Sequence, residues 1–368
     1  MKLEGYRVID LSQFLPGPHL TMLMADHGAD VIKVESPEGD PGRHIGLAQG
    51  GHTIFFRNAN RGKRSVVLNL KEEAGRTALW KLIDEADVLV ESFRPGVMAR
   101  LGFSGDAVGA RNPRIVQCSI TAFGQQGPYR DIPAHNLAVE ALAGTLSVNL
   151  GADNAPAMPG IPAADMAASL MALSAILMAL LRREKTGRGD RIDLSMHDAL
   201  VAWLPNVLGP VFAEDRAPVA KHERTWGGSA FYQIYETADR RHVVLGAQES
   251  KFVRTLLGEL GRMDLLPLCE RGPGPHQAPV IEFLRSTFRE KTQAQWIEWF
   301  RGRDVAFAPV NDLREALADP HLAARQMILL DEHGQRHLGI PMKFKHEPGQ
   351  ARLSIPAHGE HTAAVLAE

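Results

Sequence analysis

The sequence predicts a doubly wound α/β protein, with a large domain on a parallel sheet and a smaller α+β domain. Three observations carry this. Short apolar runs alternate with helical stretches from residue 6 to 118, the middle of the chain turns Ala/Leu/Met-rich, and a strand pair followed by helices begins after Trp226. Strands alternating with helices imply helical crossovers between parallel strands, with ligands at the strands' carboxyl ends.

Residues 6–10 read as the first strand, centred on Val8 and Ile9. Pro16-Gly17-Pro18 then opens a helix to about residue 27, because proline is tolerated in a first turn that needs no N–H donor. Residues 30–35 follow with Val31, Ile32 and Val34 at their centre, completing a βαβ unit. The pattern continues through residues 65–68, a charged helix from 71 to about 85, residues 88–90 and residues 115–118. Residues 137–203 read as helical, broken by Gly/Pro-rich loops at 151–162 and 186–190. After Trp226-Gly227-Gly228, residues 231–236 and 242–246 read as a hairpin, and three helices follow to about Arg301. Ala308-Pro309-Val310 and the helix after Asn311 lead back to the first domain. The tail, with Pro341, Pro348 and Pro356, reads as extended. The expected domains are therefore 1–215 with 305–368, and 225–304.

At 368 residues, with 45% hydrophobic and 23% charged side chains, the chain can bury a large core and form two domains. Its 41 basic and 43 acidic side chains leave a charge of -2, which gives no electrostatic footprint for nucleic acid or an anionic membrane. An anionic ligand must then be held by a local pocket. The N-terminus shows no signal-peptide pattern, and the uncharged stretch at 166–181 falls short of the ~20 residues that span a bilayer. It reads as a core helix. Two cysteines, Cys118 and Cys269, make neither a disulfide scaffold nor a zinc site, so the expected compartment is cytoplasmic and no metal is expected. The first βα turn has one glycine between two prolines where a dinucleotide site has G-x-G-x-x-G, and no P-loop, H-E-x-x-H or G-x-S-x-G occurs. His358-Gly359-Glu360-His361 lacks further spaced ligands and reads as a surface cap. Arg188-Gly189-Asp190 reads as the turn after a helix stop at Gly187.

Several segments together resemble one family. These are residues 10–18 with 23–35, Asn60-Arg61-Gly62-Lys63-Arg64-Ser65, Glu91-Ser92-Phe93-Arg94-Pro95-Gly96, Phe123-Gly124-Gln125-Gln126-Gly127-Pro128, Thr186-Gly187-Arg188-Gly189, Asp319-Pro320-His321 and Gly359-Glu360-His361-Thr362. Taken in order they resemble the family III CoA-transferases, the CaiB/BaiF or carnitine-dehydratase-like group that also contains the α-methylacyl-CoA racemases. The resemblance implies a Rossmann-like large domain built from both chain ends, a small domain between them, and an interlocked homodimer. It implies acyl-CoA and a free carboxylic acid as substrates, with no tightly bound cofactor. A nucleotide with phosphates needs fixed cations and backbone donors. Arg43, Asn60, Lys63 and Arg94 fall in loops after or between predicted strands, and Gly124 and Gln125 in a family motif, so these six are the expected CoA contacts. For each charged one, a solvated surface charge is the plain alternative.

Asp165 matches the family's catalytic aspartate and precedes an uncharged helix. As a residue type it has two readings. An aspartate at a helix start is usually a cap worth about 1 kcal/mol, but a helix N-terminus also stabilises a reactive carboxylate. The resemblance implies attack of this carboxylate on the thioester, giving an anhydride and free CoA thiolate, under a Gly-rich loop here represented by Gly227 and Gly228. It also implies an alternative. His135, Asp165 and Glu249 fall on positions the racemases use or keep near their site, where base and acid exchange a proton beside the thioester. Asn136 departs from the acidic residue the racemases carry after the histidine.

Overall fold

Six parallel strands organise the first of two units. In chain order they are β1 (Arg7–Asp10), β2 (Asp30–Glu35), β3 (Arg64–Val67), β4 (Val88–Glu91), β5 (Val116–Thr121) and β6 (Arg191–Ser195). Their spatial order is β3-β2-β1-β4-β5-β6. The chain winds outward from β1 to β3, then crosses back to β4 and winds the other way. The switch point lies between β1 and β4, where Val8, Ile9 and Asp10 pair in register with Val88, Leu89 and Val90. The structure, a computed structural model, describes residues 1–151 and 153–368.

Alternation along the strands supplies two apolar faces. Val8, Val31, Val88, Val90, Cys118 and Ile120 face one side, against α1 (Pro16–Asp26) and a long helix that starts at Ala163. Ile9, Ile32, Val66 and Leu89 face the other, beneath Leu79 and Ile83. Between these strands run α2 (Ile54–Asn60) and α3 (Glu73–Asp84). Beyond β5 come α4 (Asn136–Leu142) and the long helix itself, α5 (Ala163–Thr186). Ala164, Ala167, Ala168 and Ala172 line the buried side of α5, where small side chains permit close approach. Its other side leaves Leu170, Met171, Leu177, Met178 and Leu181 exposed. α5 is long and apolar enough to cross a bilayer by composition alone, but here one face is buried in the sheet's core.

Two strands are among the elements that depart from the sequence expectation. Residues 191–195, expected to be helical, form edge strand β6, paired from Gln117↔Arg191 to Thr121↔Ser195. An edge strand with one half-exposed face alternates Arg191, Ile192, Asp193 and Leu194, and that short pattern is hidden among helix-forming neighbours.

The second unit comprises Gly144–Pro159 and Leu204–Ala318. Its antiparallel sheet has β8 (His242–Gly246) at the centre, between β7 (Tyr232–Glu236) and β9 (Phe307–Pro309). β9 is the second departure. Residues 305–318 belong with this unit because Val243↔Pro309 to Leu245↔Phe307 pair across the strands, and residues 144–159 and 204–215 join it too. Helices α6 (Ser250–Glu259), α7 (Ala278–Phe288) and α8 (Gln293–Phe300) enclose a core of Tyr235, Phe288, Trp296 and Phe300.

Asp319–Glu368 return to the first unit. A hairpin of β10 (Ile328–Leu330) and β11 (Arg336–Leu338) precedes an extended run, and α9 (Thr362–Ala367) ends the chain. The segment 358–362 closes the open edge of β3. His361 N–H donates to Ser65 O at 2.9 Å, Ser65 N–H to His361 Nδ1 at 3.2 Å, and Val67 N–H to Thr362 Oγ1 at 3.0 Å. Covering the free donors of an edge strand is the role this histidine-rich segment performs.

Candidate active site

Asp165 occupies the third position of α5, and two residues of α4 cap that helix for it. Asn136 Oδ1 accepts the N–H of Ala164 at 2.9 Å and of Asp165 at 3.2 Å, and Glu140 Oε1 accepts the N–H of Ala163 at 3.0 Å. Asn136 Nδ2 also donates to Glu140 Oε1 at 2.7 Å, which locks the pair. The orphan donors of the helix start are thus satisfied from outside the helix. No side chain of its own caps α5, and among the described residues the Asp165 carboxylate has neither a hydrogen bond nor an ion pair. Burial pushes its pKa up to about 6, the His135 charge opposes the rise, and Glu140 adds to it. The arrangement presents a free, half-buried carboxylate that is more basic than a surface aspartate and still ionised at neutral pH.

His135 immediately precedes α4 and is exposed. Its ring meets Phe14 edge-on, centroids 5.7 Å apart. Phe14 sits at φ 63, a left-handed conformation that costs an aromatic residue about 1–2 kcal/mol. The loop after β1 is held in that shape from below. Ser12 N–H donates to Asp10 Oδ1 at 2.9 Å, Lys33 Nζ donates to Ser12 O at 3.0 Å, Lys63 Nζ to Pro18 O at 2.8 Å, and Gln13 N–H to Ser92 Oγ at 3.0 Å. Asp10, Lys33 and Lys63 are wholly buried, with Lys63 Nζ 3.0 Å from Asp10 Oδ2 and Lys33 Nζ 2.7 Å from Asp40. Burial works to raise the Asp10 pKa, but Lys63 and Lys33 hold it below the usual carboxylate range. Burial lowers that of Lys63 against the pull of Asp10.

Within this network the side chains of the first three expected CoA contacts already have partners in the protein. Asn60 ends α2 rather than lying in a loop, and its Oδ1 accepts from Lys63 Nζ at 2.8 Å. Lys63 spends its ammonium on Asp10, Pro18 and Asn60 and is sealed from solvent. Arg43 forms a fork with Glu35 at 2.7 and 2.6 Å and stacks 4.0 Å from the Phe56 ring. Arg94, by contrast, is exposed and shares with Gln125 a cavity of about 530 Å³ over β4 to β6. The Gln125 N–H is already accepted by the Asp193 carboxylate at 3.0 Å, and Gly124 supplies the left-handed turn before it. A separate crevice of about 230 Å³ opens at the switch point, between the ends of β1, β2, β3 and β4. Leu11, Val34, Ser36, Leu68, Lys71 and Phe93 line it, and none of the six expected contacts does.

Sequence reasoning also missed the support under Asp165. One turn below it, buried Ser169 Oγ lies 2.8 Å from His19 Nδ1. Burial, with Lys63 and Arg61 nearby, drops the His19 pKa to about 4, so this imidazole stays neutral. Glu249, Gly227 and Gly228 belong to the second unit. Glu249 is exposed and precedes α6. Gly227 is left-handed at φ 89, and a side chain at Gly228 would lie 2.2 Å from His222 O, so the turn admits only glycine there.

The family model for CoA-transferase family III matches residues 3–362. The acetyl-CoA:oxalate CoA-transferase of Acetobacter aceti is 32% identical, covering 99% of this chain and 95% of that protein. The human α-methylacyl-CoA racemase is also 32% identical, covering 100% and 93%. A CaiB/BaiF family protein from Brucella suis superposes with a TM-score of 0.87 at 28% identity, covering 99% and 98% of the two chains.

Proposed function

The chain belongs to CoA-transferase family III, and on that premise we propose that it moves CoA between carboxylic acids through a covalent intermediate on Asp165. The observation that carries this reading is the freedom of the Asp165 carboxylate. Asn136 and Glu140 cap its helix, so the carboxylate is left without a structural task.

An Asp165 oxygen attacks the acyl-CoA carbonyl, the C–S bond breaks, and CoA leaves as thiolate while a mixed anhydride forms. The thiolate then attacks the aspartyl carbonyl of the anhydride. The donor acid leaves, and an aspartyl-CoA thioester remains. An acceptor carboxylate attacks that thioester to form a second anhydride, and the thiolate takes its acyl group, regenerating the Asp165 carboxylate. No step consumes a proton. A pKa near 6 suits the nucleophile, since it stays charged at neutral pH but is more basic than an ordinary aspartate. The switch-point crevice, with Lys71 at its edge, is the proposed seat of the CoA nucleotide. The exposed apolar side of α5 is the proposed contact with a second copy in a homodimer. Incubation with mixed acyl-CoAs and free acids in deuterated water, read by mass spectrometry, tests the reaction class. New acyl-CoA species that require an added acid, absent in Asp165→Ala, support transfer, whereas their absence from a broad panel refutes it.

One observation favours a second reading, α-proton exchange of a 2-methylacyl-CoA. His135 lies close enough to Asp165 to oppose its pKa rise, so an acid and a base stand together. Against it, Asn136 carries no charge to tune the imidazole and is committed to the α5 cap. The same incubation separates the two, because exchange places deuterium at the α-carbon without any acceptor acid.

A further inference from the structure

Arg57 lies on α2, and its residue exposure is 2%. A guanidinium so deeply buried normally has a carboxylate against it, because an unpaired buried charge is costly. Its three near relatives in the fold follow that rule: Arg61 pairs with Asp26 at 2.5 Å, Lys63 with Asp10 at 3.0 Å and Lys33 with Asp40 at 2.7 Å. Arg57 does not. Among the described residues it forms no ion pair, and its hydrogen bonds go to two neutral amide oxygens, Gln335 Oε1 and Gln49 Oε1, the latter at 3.1 Å. Its Nε is buried and has no acceptor.

The same arginine lines a cavity of about 530 Å³ between the 48–53 hairpin, the β10–β11 turn and residues 353–355, a volume in the range of small-molecule sites. His52 shares that cavity, and its pKa is lowered by burial first and then by the Arg43 and Arg57 cations, with Glu360 opposing them. Three acids stand near, and each is engaged elsewhere or exposed: Glu360 accepts the N–H of Ala357 at 2.8 Å. Asp331 is engaged by His337 Nε2 at 3.1 Å and by the N–H groups of His333 and Gln335, and Glu332 points into solvent at 86% side-chain exposure.

We propose that this cavity binds a small anion, a carboxylate or a phosphate, on the Arg57 guanidinium, with Gln49, Gln335 and His52 around it. Carboxylates and phosphates each present a pair of oxygens that can accept two N–H bonds from the planar guanidinium fork. The site is separate from Asp165 and from the switch-point crevice, and the proposal holds whichever chemistry Asp165 performs.

Calorimetric titration and thermal melts of the full-length protein, in a buffer with chloride as the only other anion, test it with inorganic phosphate in one arm and succinate in another. The wild type should bind at least one of the two and melt at a higher temperature as that ligand is added. The arm that responds identifies the source. Arg57→Met should weaken that binding at least tenfold and abolish the ligand-dependent rise, while its melting temperature without ligand stays level with the wild type or above it. Gln335→Ala keeps the cation and should weaken binding by a smaller factor. If neither ligand binds the wild type, or if Arg57→Met binds as tightly as wild type, the proposal is overturned. A loss of dimer in Arg57→Met with no anion dependence in the wild type also overturns it, because a second copy would then supply the missing charge.

Discussion

Replacing Asp165 by Asn should stabilise the protein at pH 8, which is the opposite of what loss of a helix cap would do. A native pKa of about 6 against the ordinary 3.8 corresponds at most to about 3 kcal/mol of destabilisation at pH above both values. Partial solvation of a half-buried group reduces that to about 1–2 kcal/mol. The sign follows from proton binding. Between the two pKa values the folded state holds the proton more tightly than the unfolded state, so stability falls as pH rises from about 4 to 6 and the penalty is complete above 6. Urea unfolding of wild type and Asp165→Asn at pH 8 and at pH 4 measures it. The variant should be more stable at pH 8, and the gap should close at pH 4. Asn136→Ala is the contrast. It removes the acceptor for two helix-start N–H groups and should cost about 1–2 kcal/mol. If Asp165→Asn destabilises the protein at pH 8 by as much as Asn136→Ala does, Asp165 is a cap and the reasoning fails.

Three further outcomes follow from the same geometry. Activity should fall with an acidic limb near pH 6. That limb should move to lower pH in Glu140→Gln, which removes a charge that raises the Asp165 pKa, and to higher pH in His135→Ala, which removes one that lowers it; kcat/KM against pH reads both shifts. Lys63→Met strands Asp10 without its main partner and should cost about 3–5 kcal/mol, seen as a large drop in melting temperature. A folded, equally stable variant with a raised KM for acyl-CoA would instead make Lys63 a nucleotide contact. A Leu177→Glu/Met178→Glu pair places charge on the exposed side of α5 and should leave a monomer in sedimentation velocity where the wild type sediments as the proposed dimer, while a dimer of unchanged affinity removes that face from the interface.

Much of the large unit was legible from period and composition. β1, β2 and β4 are short apolar runs because parallel strands are buried on both faces, and Pro16-Gly17-Pro18 marks the start of α1 well. β6 was not legible, since an edge strand alternating Arg191 and Asp193 with Ile192 and Leu194 lies between helices of similar composition. The destination of β9 was set by pairing with β8 across some sixty residues of helical sequence. The position of Asp165 was legible from the family motifs, but its freedom was not. The caps that release it come from Asn136 and Glu140, 29 and 23 residues before the N–H groups they accept. Asn136, conspicuous in the sequence for lacking a charge, proves to be a hydrogen-bond acceptor for the catalytic candidate's own backbone. Likewise Lys63 looks like a loop cation until Asp10, 53 residues earlier, is found against it.

The central claim is that Asp165 becomes covalently acylated. Rapid mixing with an acyl-CoA that turns over, followed by borohydride reduction or hydroxylamine capture and peptide mass spectrometry, reads it directly. Modification should be confined to the peptide carrying Asp165, at that residue, with CoA released in step and no label in Asp165→Asn. Steady turnover of the same acyl-CoA with the Asp165 peptide unmodified would contradict it.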